Sequence, residues 1–290
     1  MTNVTLSLVQ VDVFTSRPLS GNAAAIVFDA DGLDGATMQA IARETNLSET
    51  VFVLAPYEGG DYRARIFTTR REIAFAVHPT IAAAHAVAEQ RGLASGGLVQ
   101  ECDIGLVPVA RGQDVPGWAA RVPEPRFSPV DLDRFEAADC LGLAHDHISV
   151  RPIERVATGP HWIMIELTSP DALSRLDRDH RAMARVSRRC EAVGFTVFVR
   201  NPAPGVDAHL RAFAPAEGIF EDPVCGSCAG SLAALLSRDD PHAGRAAPFL
   251  FEQGREIGRP GQLYARVRPD GLVVGGEAVS VLRGTLDIGV

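Results

Sequence analysis

R-A-F-A-P-A-E-G-I-F-E-D-P-V-C-G-S-C-A-G-S-L-A-A, Arg211 to Ala234, reads as a strand, an acidic loop and a helix of small residues. The same order stands earlier in the chain. Arg65-Ile-Phe67 is followed by Glu72, by a loop ending at His78, and by a helix through Ile81-Ala-Ala-Ala. In the later copy Glu217 follows the Arg-Ala-Phe, and the loop ends at Cys225. Units repeated on this scale predict a duplicated domain with pseudo-two-fold symmetry. Both helix N-termini would then face one cleft, each offering free N–H groups and a partial positive charge to an anion.

Working outward, period-two alternation and turn residues mark strands at Leu6–Phe14, Ala23–Phe28, Thr50–Leu54 and Arg63–Thr68. Helices are predicted over Ala36–Glu44 and Pro79–Gln90, the second with proline in its first turn, where the missing N–H costs little. Prolines 116, 123, 125 and 129 mark a linker or edge strand. Beyond it, strands are predicted at Val150–Ile153, His161–Leu167, Thr196–Val199, His209–Phe213, Gln262–Val267, Gly271–Val274 and Ala278–Leu286. A helix is expected within Ala172–Gly194 and another from Cys228 to Ser237. The chain divides on this reading into 1–118 and 119–278, with the last strand, about 279–290, returning to the first half.

Composition narrows the function. The chain has 290 residues, 46% of them hydrophobic, and a net charge of -8. No basic stripe recommends a nucleic-acid partner, and no apolar run reaches the length of a membrane span. The first residues lack the pattern of a secretory leader, so the expected location is cytoplasmic. All 28 basic residues are arginine, which removes lysine Schiff bases, the P-loop lysine and Ser-Lys catalysis together. Five cysteines at irregular spacing do not form a secreted disulfide framework.

The stretch E-D-P-V-C-G-S-C-A-G, Glu221 to Gly230, admits three readings. A redox dithiol or zinc half-site suits the C-x-x-C, but zinc needs a second ligand pair, and none is present. A cysteine-hydrolase elbow suits G-S-C-A-G. It requires a strand directly before the nucleophile, where Pro223 stands, and its only later histidine is His242. The third reading is a small-residue loop that opens a helix onto a ligand.

Family resemblance favours the third reading. G-N-A-A-A-I-V-F (21–28), N-L-S-E-T-V-F-V (46–53), R-I-F-T (65–68), F-A-V-H-P-T (75–80), R-A-F-A-P (211–215), E-D-P-V-C-G-S-C-A-G and G-R-P-G-Q-L (258–263) occur in the order of the PhzF-like family of phenazine biosynthesis. The resemblance covers nearly the whole chain. It implies an α+β fold like that of diaminopimelate epimerase: two similar domains, each a curved, mostly antiparallel sheet around a central helix, with the active site in the cleft between them. It also implies a cofactor-free isomerase, commonly a homodimer, acting on a small carboxylate such as trans-2,3-dihydro-3-hydroxyanthranilate. Matched residue by residue, Glu49 is the catalytic carboxylate, with His78 and Asp222 as its catalytic companions. Asn22, Ser48, Cys225, Gly226 and Ser227 are placed at the substrate. Ala23 stands where the family carries proline, Val77 where it carries glycine, and Arg70-Arg71 replaces a proline-containing loop.

These residue types suit a proton shift between carbons. One carboxylic acid can remove and return the proton if an apolar setting raises its pKa, and Glu49 precedes apolar Val51-Phe-Val53. Two alternatives stay open. Epimerases and racemases of this fold use two thiols, one before each central helix; Cys225 fits one, and the other place falls near Ala76. A cleft that only binds a small acid is the second.

Overall fold

The computed structural model describes residues 3–239 and 247–289. Two units emerge from its packing, residues 1–121 with 275–290 and residues 122–274. In the first, β1 (Asn3–Val13) pairs antiparallel with β2 (Asn22–Val27). Helix α1 (Gly35–Thr45) then crosses over, and β3 (Glu49–Leu54) returns parallel to β2. β4 (Tyr62–Phe67) runs antiparallel to β3, and the two-residue β5 (Glu72–Ile73) folds back on β4. Helix α2 (Val77–Gln90) follows, then β6 (Leu98–Cys102) parallel to β4, and β7 (Gly105–Arg111) and β8 (Trp118–Val122) in antiparallel succession.

The second unit repeats this plan. After β9 (Arg126–Pro129), α3 (Arg134–Leu141) and β10 (Glu154–Ala157), β11 (His161–Glu166) leads through α4 (Pro170–Ser174) and α5 (His180–Arg189) to β12 (Gly194–Ala203), parallel to β11. β13 (Val206–Ala214) is antiparallel to β12, and β14 (Ile219–Asp222) folds back on β13. Helix α6 (Gly226–Asp239) follows, then β15 (Phe249–Gln253) parallel to β13, and β16 (Gly261–Arg268) antiparallel to β15. After β17 (Gly271–Gly276), β18 (Ala278–Gly289) pairs along the whole of β1.

Each unit thus sets a mostly antiparallel sheet around one central helix. Every residue of α2 from Val77 to Ala88 is buried, and α2 touches strands β1, β2, β3, β4, β6, β7 and β18. A helix enclosed on that many sides needs short side chains, which accounts for A-A-A in α2 and A-G-S in α6. On the opposite face of the first sheet, Met38 and Ile41 of α1 pack with Phe52 and Phe67. In the second unit, α3, α4 and α5 cover β11 and β12 in the same way. Strand β12 is therefore buried on both faces from Gly194 to Val199 and reads as a continuous apolar run.

Two expectations fail locally. Residues Val150–Ile153 form no strand; the strand begins at Glu154. Pro152 supplies no N–H to a ladder, Val150 is exposed, and Arg151 turns aside to pair with Asp239 at 2.6 Å. The single helix expected within Ala172–Gly194 is two. Asp179 accepts from the Arg181 and Ala182 amides at 2.9 Å and so starts a new helix, while Ser169 caps α4.

Candidate active site

The register places Glu49 and His78 together within the first unit. Asp34 caps α1, and Asn46 ends it in the left-handed region at φ 51°. The three residues Leu-Ser-Glu then bring the chain into β3, where Glu49 stands opposite Ala24. On the neighbouring turn Gly21 has φ +62°, and an added Cβ would lie 2.1 Å from the Val13 carbonyl, so only glycine can precede Asn22. Asn22 is buried, and its Oδ1 accepts from the Ser48 hydroxyl at 3.2 Å. That bond ties the loop before Glu49 to the start of β2.

His78 is the second residue of α2, and its Nδ1 lies 3.2 Å from Glu49 Oε2. The side chains are 7% and 13% exposed. Burial pushes the His78 imidazole down to about 4, against a small opposing pull from the Ala23 carbonyl. At neutral pH the pair is therefore a carboxyl group beside a neutral imidazole. His78 Nε2 is buried and reaches no hydrogen-bond partner among the described residues. A ring nitrogen of His161, His180 and His209 is open in the same way, so what sets Nε2 of His78 apart is its ring's place beside Glu49. Val77, at the head of α2, is itself buried, and Ala76 before it provides no side-chain cap. Arg70 and Arg71 sit on a turn whose amides both donate to Thr68 Oγ1.

In the second unit Asp222 ends β14, and Gly226 and Ser227 open α6. The loop between them is stapled by Gln253, a residue the sequence did not single out. Its Nε2 donates to the Asp222 carbonyl at 2.7 Å, and its Oε1 accepts from the Cys225 amide at 3.0 Å. No local signal reveals this, because the two contacts span 31 and 28 residues of chain. Ser227 Oγ accepts from Trp162 Nε1 at 2.9 Å and lies 3.4 Å from Cys225 Sγ, a contact in which either atom can donate. The later histidine of the hydrolase reading, His242, lies outside the described residues.

The repeats share one structural clamp. Arg65 Nε and Nη2 donate to the two Glu72 oxygens, both at 2.7 Å; Arg211 does the same to Glu221, both at 2.8 Å. Each guanidinium also lies over the phenylalanine two residues on, at 5.2 and 5.4 Å. The partner of Arg211 is therefore Glu221 and not Glu217. Arg178 makes a second contact to Glu221, which fixes the residue beside Asp222 from two directions.

A family model described as phenazine biosynthesis-like protein, PhzC-PhzF, matches residues 11–284. The chain belongs to this family. It is 39% identical over 280 residues to trans-2,3-dihydro-3-hydroxyanthranilate isomerase of Pseudomonas aeruginosa, covering 94% of each chain. The same-named protein of Pseudomonas fluorescens is 37% identical over 286 residues, covering 95% of this chain and 97% of that one. Among solved structures, a PhzF-family phenazine biosynthesis protein of Bacillus anthracis superposes with a TM-score of 0.88 at 27% identity, covering 99% and 100% of the two chains. A hydroxyproline epimerase of Agrobacterium vitis, at a TM-score of 0.60 and 11% identity over 98% and 93%, shares the fold. As a relative of named isomerases over 94–97% of their length, this PhzF-type protein is an enzyme of the isomerase class.

Proposed function

We propose that the chain moves a double bond by proton transfer within a small conjugated amino acid, without a cofactor. The carrying observation is the Glu49–His78 pair: one carboxyl group, 13% exposed, beside an imidazole held neutral with an open buried nitrogen. Glu49 takes the proton from one carbon and returns it to another. Neutral His78 cannot neutralise Glu49 as a cation would; it can accept from a protonated carboxyl or donate to an ionised one. Its open Nε2 is free to hold a polar group of the substrate. Asp222, Gly226 and Ser227 are assigned to substrate binding and proton handling on the strength of the family match. The Ser227 proton and the first amides of α6 suit a carboxylate.

The substrate class is trans-2,3-dihydro-3-hydroxyanthranilate or a related intermediate such as an unsaturated pyrroline carboxylate. Two-thiol racemisation finds no support, because the residue before α2 is Ala76 while the residue before α6 is Cys225. The test is deuterium uptake from D₂O by a panel of such acids, read by mass spectrometry for wild type and Glu49→Gln. Incorporation that survives in Glu49→Gln overturns the reading. A homodimer, expected from the same kinship, is checked by sedimentation at two concentrations.

A further inference from the structure

We propose that Cys225 and Cys228 are a redox modification site: a dithiol that a hydroperoxide closes to a reversible disulfide at the head of α6. The proton-transfer reading gives neither thiol a proton to move; Cys225 enters it only as a neighbour of the substrate. Cys225 immediately precedes α6 and Cys228 is its third residue. Residues three apart at a helix start have Cβ atoms about 5–6 Å apart, and a disulfide asks for about 3.5–4.5 Å, a gap that a small adjustment of the first turn closes. Both thiols are free; burial pushes the Cys228 thiol up, and the neighbouring Cys225 thiol adds to the rise. Cys228 is wholly buried and Cys225 is 5% exposed, so the oxidant meets Cys225 first.

The step balances. The Cys225 thiolate attacks one peroxide oxygen, giving a sulfenic acid and releasing the other oxygen as water. The Cys228 sulfur then attacks Cys225 Sγ, the S–O bond breaks, and a second water leaves. Two thiols are oxidised by two electrons and the peroxide is reduced to two waters. Turning Cys225 toward Cys228 removes its 3.4 Å contact with Ser227 Oγ and locks the turn that carries Gly226 and Ser227. The consequence for turnover rests on the isomerase reading above.

The experiment uses the folded full chain with Cys102→Ala, because Cys102 is the most exposed of the five cysteines. After hydrogen peroxide, unreacted thiols are alkylated under denaturing conditions and the peptides are weighed. The peptide carrying residues 225–228 is expected to lose two hydrogen atoms and to regain them with dithiothreitol. Deuterium-exchange turnover should fall about tenfold or more in step, as displaced positioning groups do elsewhere. Adding Cys228→Ala should abolish the two-hydrogen loss, with circular dichroism reporting the fold. Oxygen uptake at Cys225 without the two-hydrogen loss, or its linkage to another cysteine, overturns the proposal. A disulfide that forms without affecting turnover removes its regulatory consequence. Should no acid of the panel exchange, the isomerase reading falls while the peptide masses still decide the disulfide.

Discussion

The two units follow one plan but differ at the position where the proposed reaction needs its acid. Glu49 is opposite Ala24 in a parallel pair and precedes Thr50, which is opposite Phe67. Gly194 is opposite Trp162 in the matching parallel pair and precedes Phe195, which is opposite Phe213. The two positions are equivalent, and even the left-handed residue three places earlier recurs, Asn46 at φ 51° and Glu191 at φ 50°. One copy holds a carboxylate and the other a glycine. Duplication thus supplied two scaffolds, of which only the first carries an acid at this place.

Breaking the comparison from the second side has the largest expected effect. An added Cβ at Gly194 would lie 1.9 Å from the Phe213 carbonyl, a backbone atom that cannot swing away. Gly194→Ala should cost more than about 4 kcal/mol, and Gly194→Glu should yield no folded second unit, read by circular dichroism and limited proteolysis. A stable, folded Gly194→Glu protein would show that the Phe213 carbonyl does not close this place to a side chain. From the first side, Glu49→Gln should keep the fold while lowering exchange turnover by about 10²–10⁴, the range a general acid–base group supplies.

The clamps sharpen the contrast next. Arg211 and Glu221 are 5% and 7% exposed, against 29% and 32% for Arg65 and Glu72. Glu221→Gln leaves a buried guanidinium without its charge partner and should cost about 3–5 kcal/mol. Glu72→Gln removes a pair open to water and should cost about 1 kcal/mol or less. Denaturant midpoints of both variants measure this directly. Equal losses would mean that burial does not set the strength of the two clamps.

How much of this was legible follows from where the signals live. The echo of Arg-x-Phe, acid and small-residue helix was visible because it is local and repeats. The repeat shows as matching strand order in both units. The echo set Glu217 against Glu72, but a short turn at Pro215–Glu217 precedes β14 and delays the acid that pairs with Arg211 to Glu221. Strands β6, β7, β14 and β15 escaped notice; β14 is four residues long, and its role depends on pairing with β13. At the candidate site, motifs named Glu49, His78 and Asp222. They could not disclose that Nδ1 of His78 stands beside Glu49 or that Gln253 staples the loop of Asp222, since both are tertiary contacts. Burial, which keeps the imidazole neutral, is equally a property of the packed unit.

That burial gives the smallest and most specific prediction. The folded value of His78, about 4, lies below its ordinary value of 6.5, so between these limits the unfolded chain binds more protons than the folded one. Stability therefore rises with pH through this window, is fully present above about 6.5, and is lost as pH falls toward 4, by an amount on the order of 3 kcal/mol. Glu256 in the second unit behaves differently. Burial opposes its ionised form, yet hydrogen bonding and charge attraction from His209, 3.1 Å away, win and hold its carboxyl down to about 2. The stability it provides is present above about 4.5 and is lost only as pH falls from there toward 2. Acid unfolding followed by a probe in each unit should weaken the first unit from pH 6.5 downward, with the Glu256 contribution entering below 4.5. His78→Gln should flatten the upper window and leave the lower one intact. An unchanged slope between pH 4 and 6.5 in that variant would mean that the imidazole beside Glu49 is not held neutral by the fold.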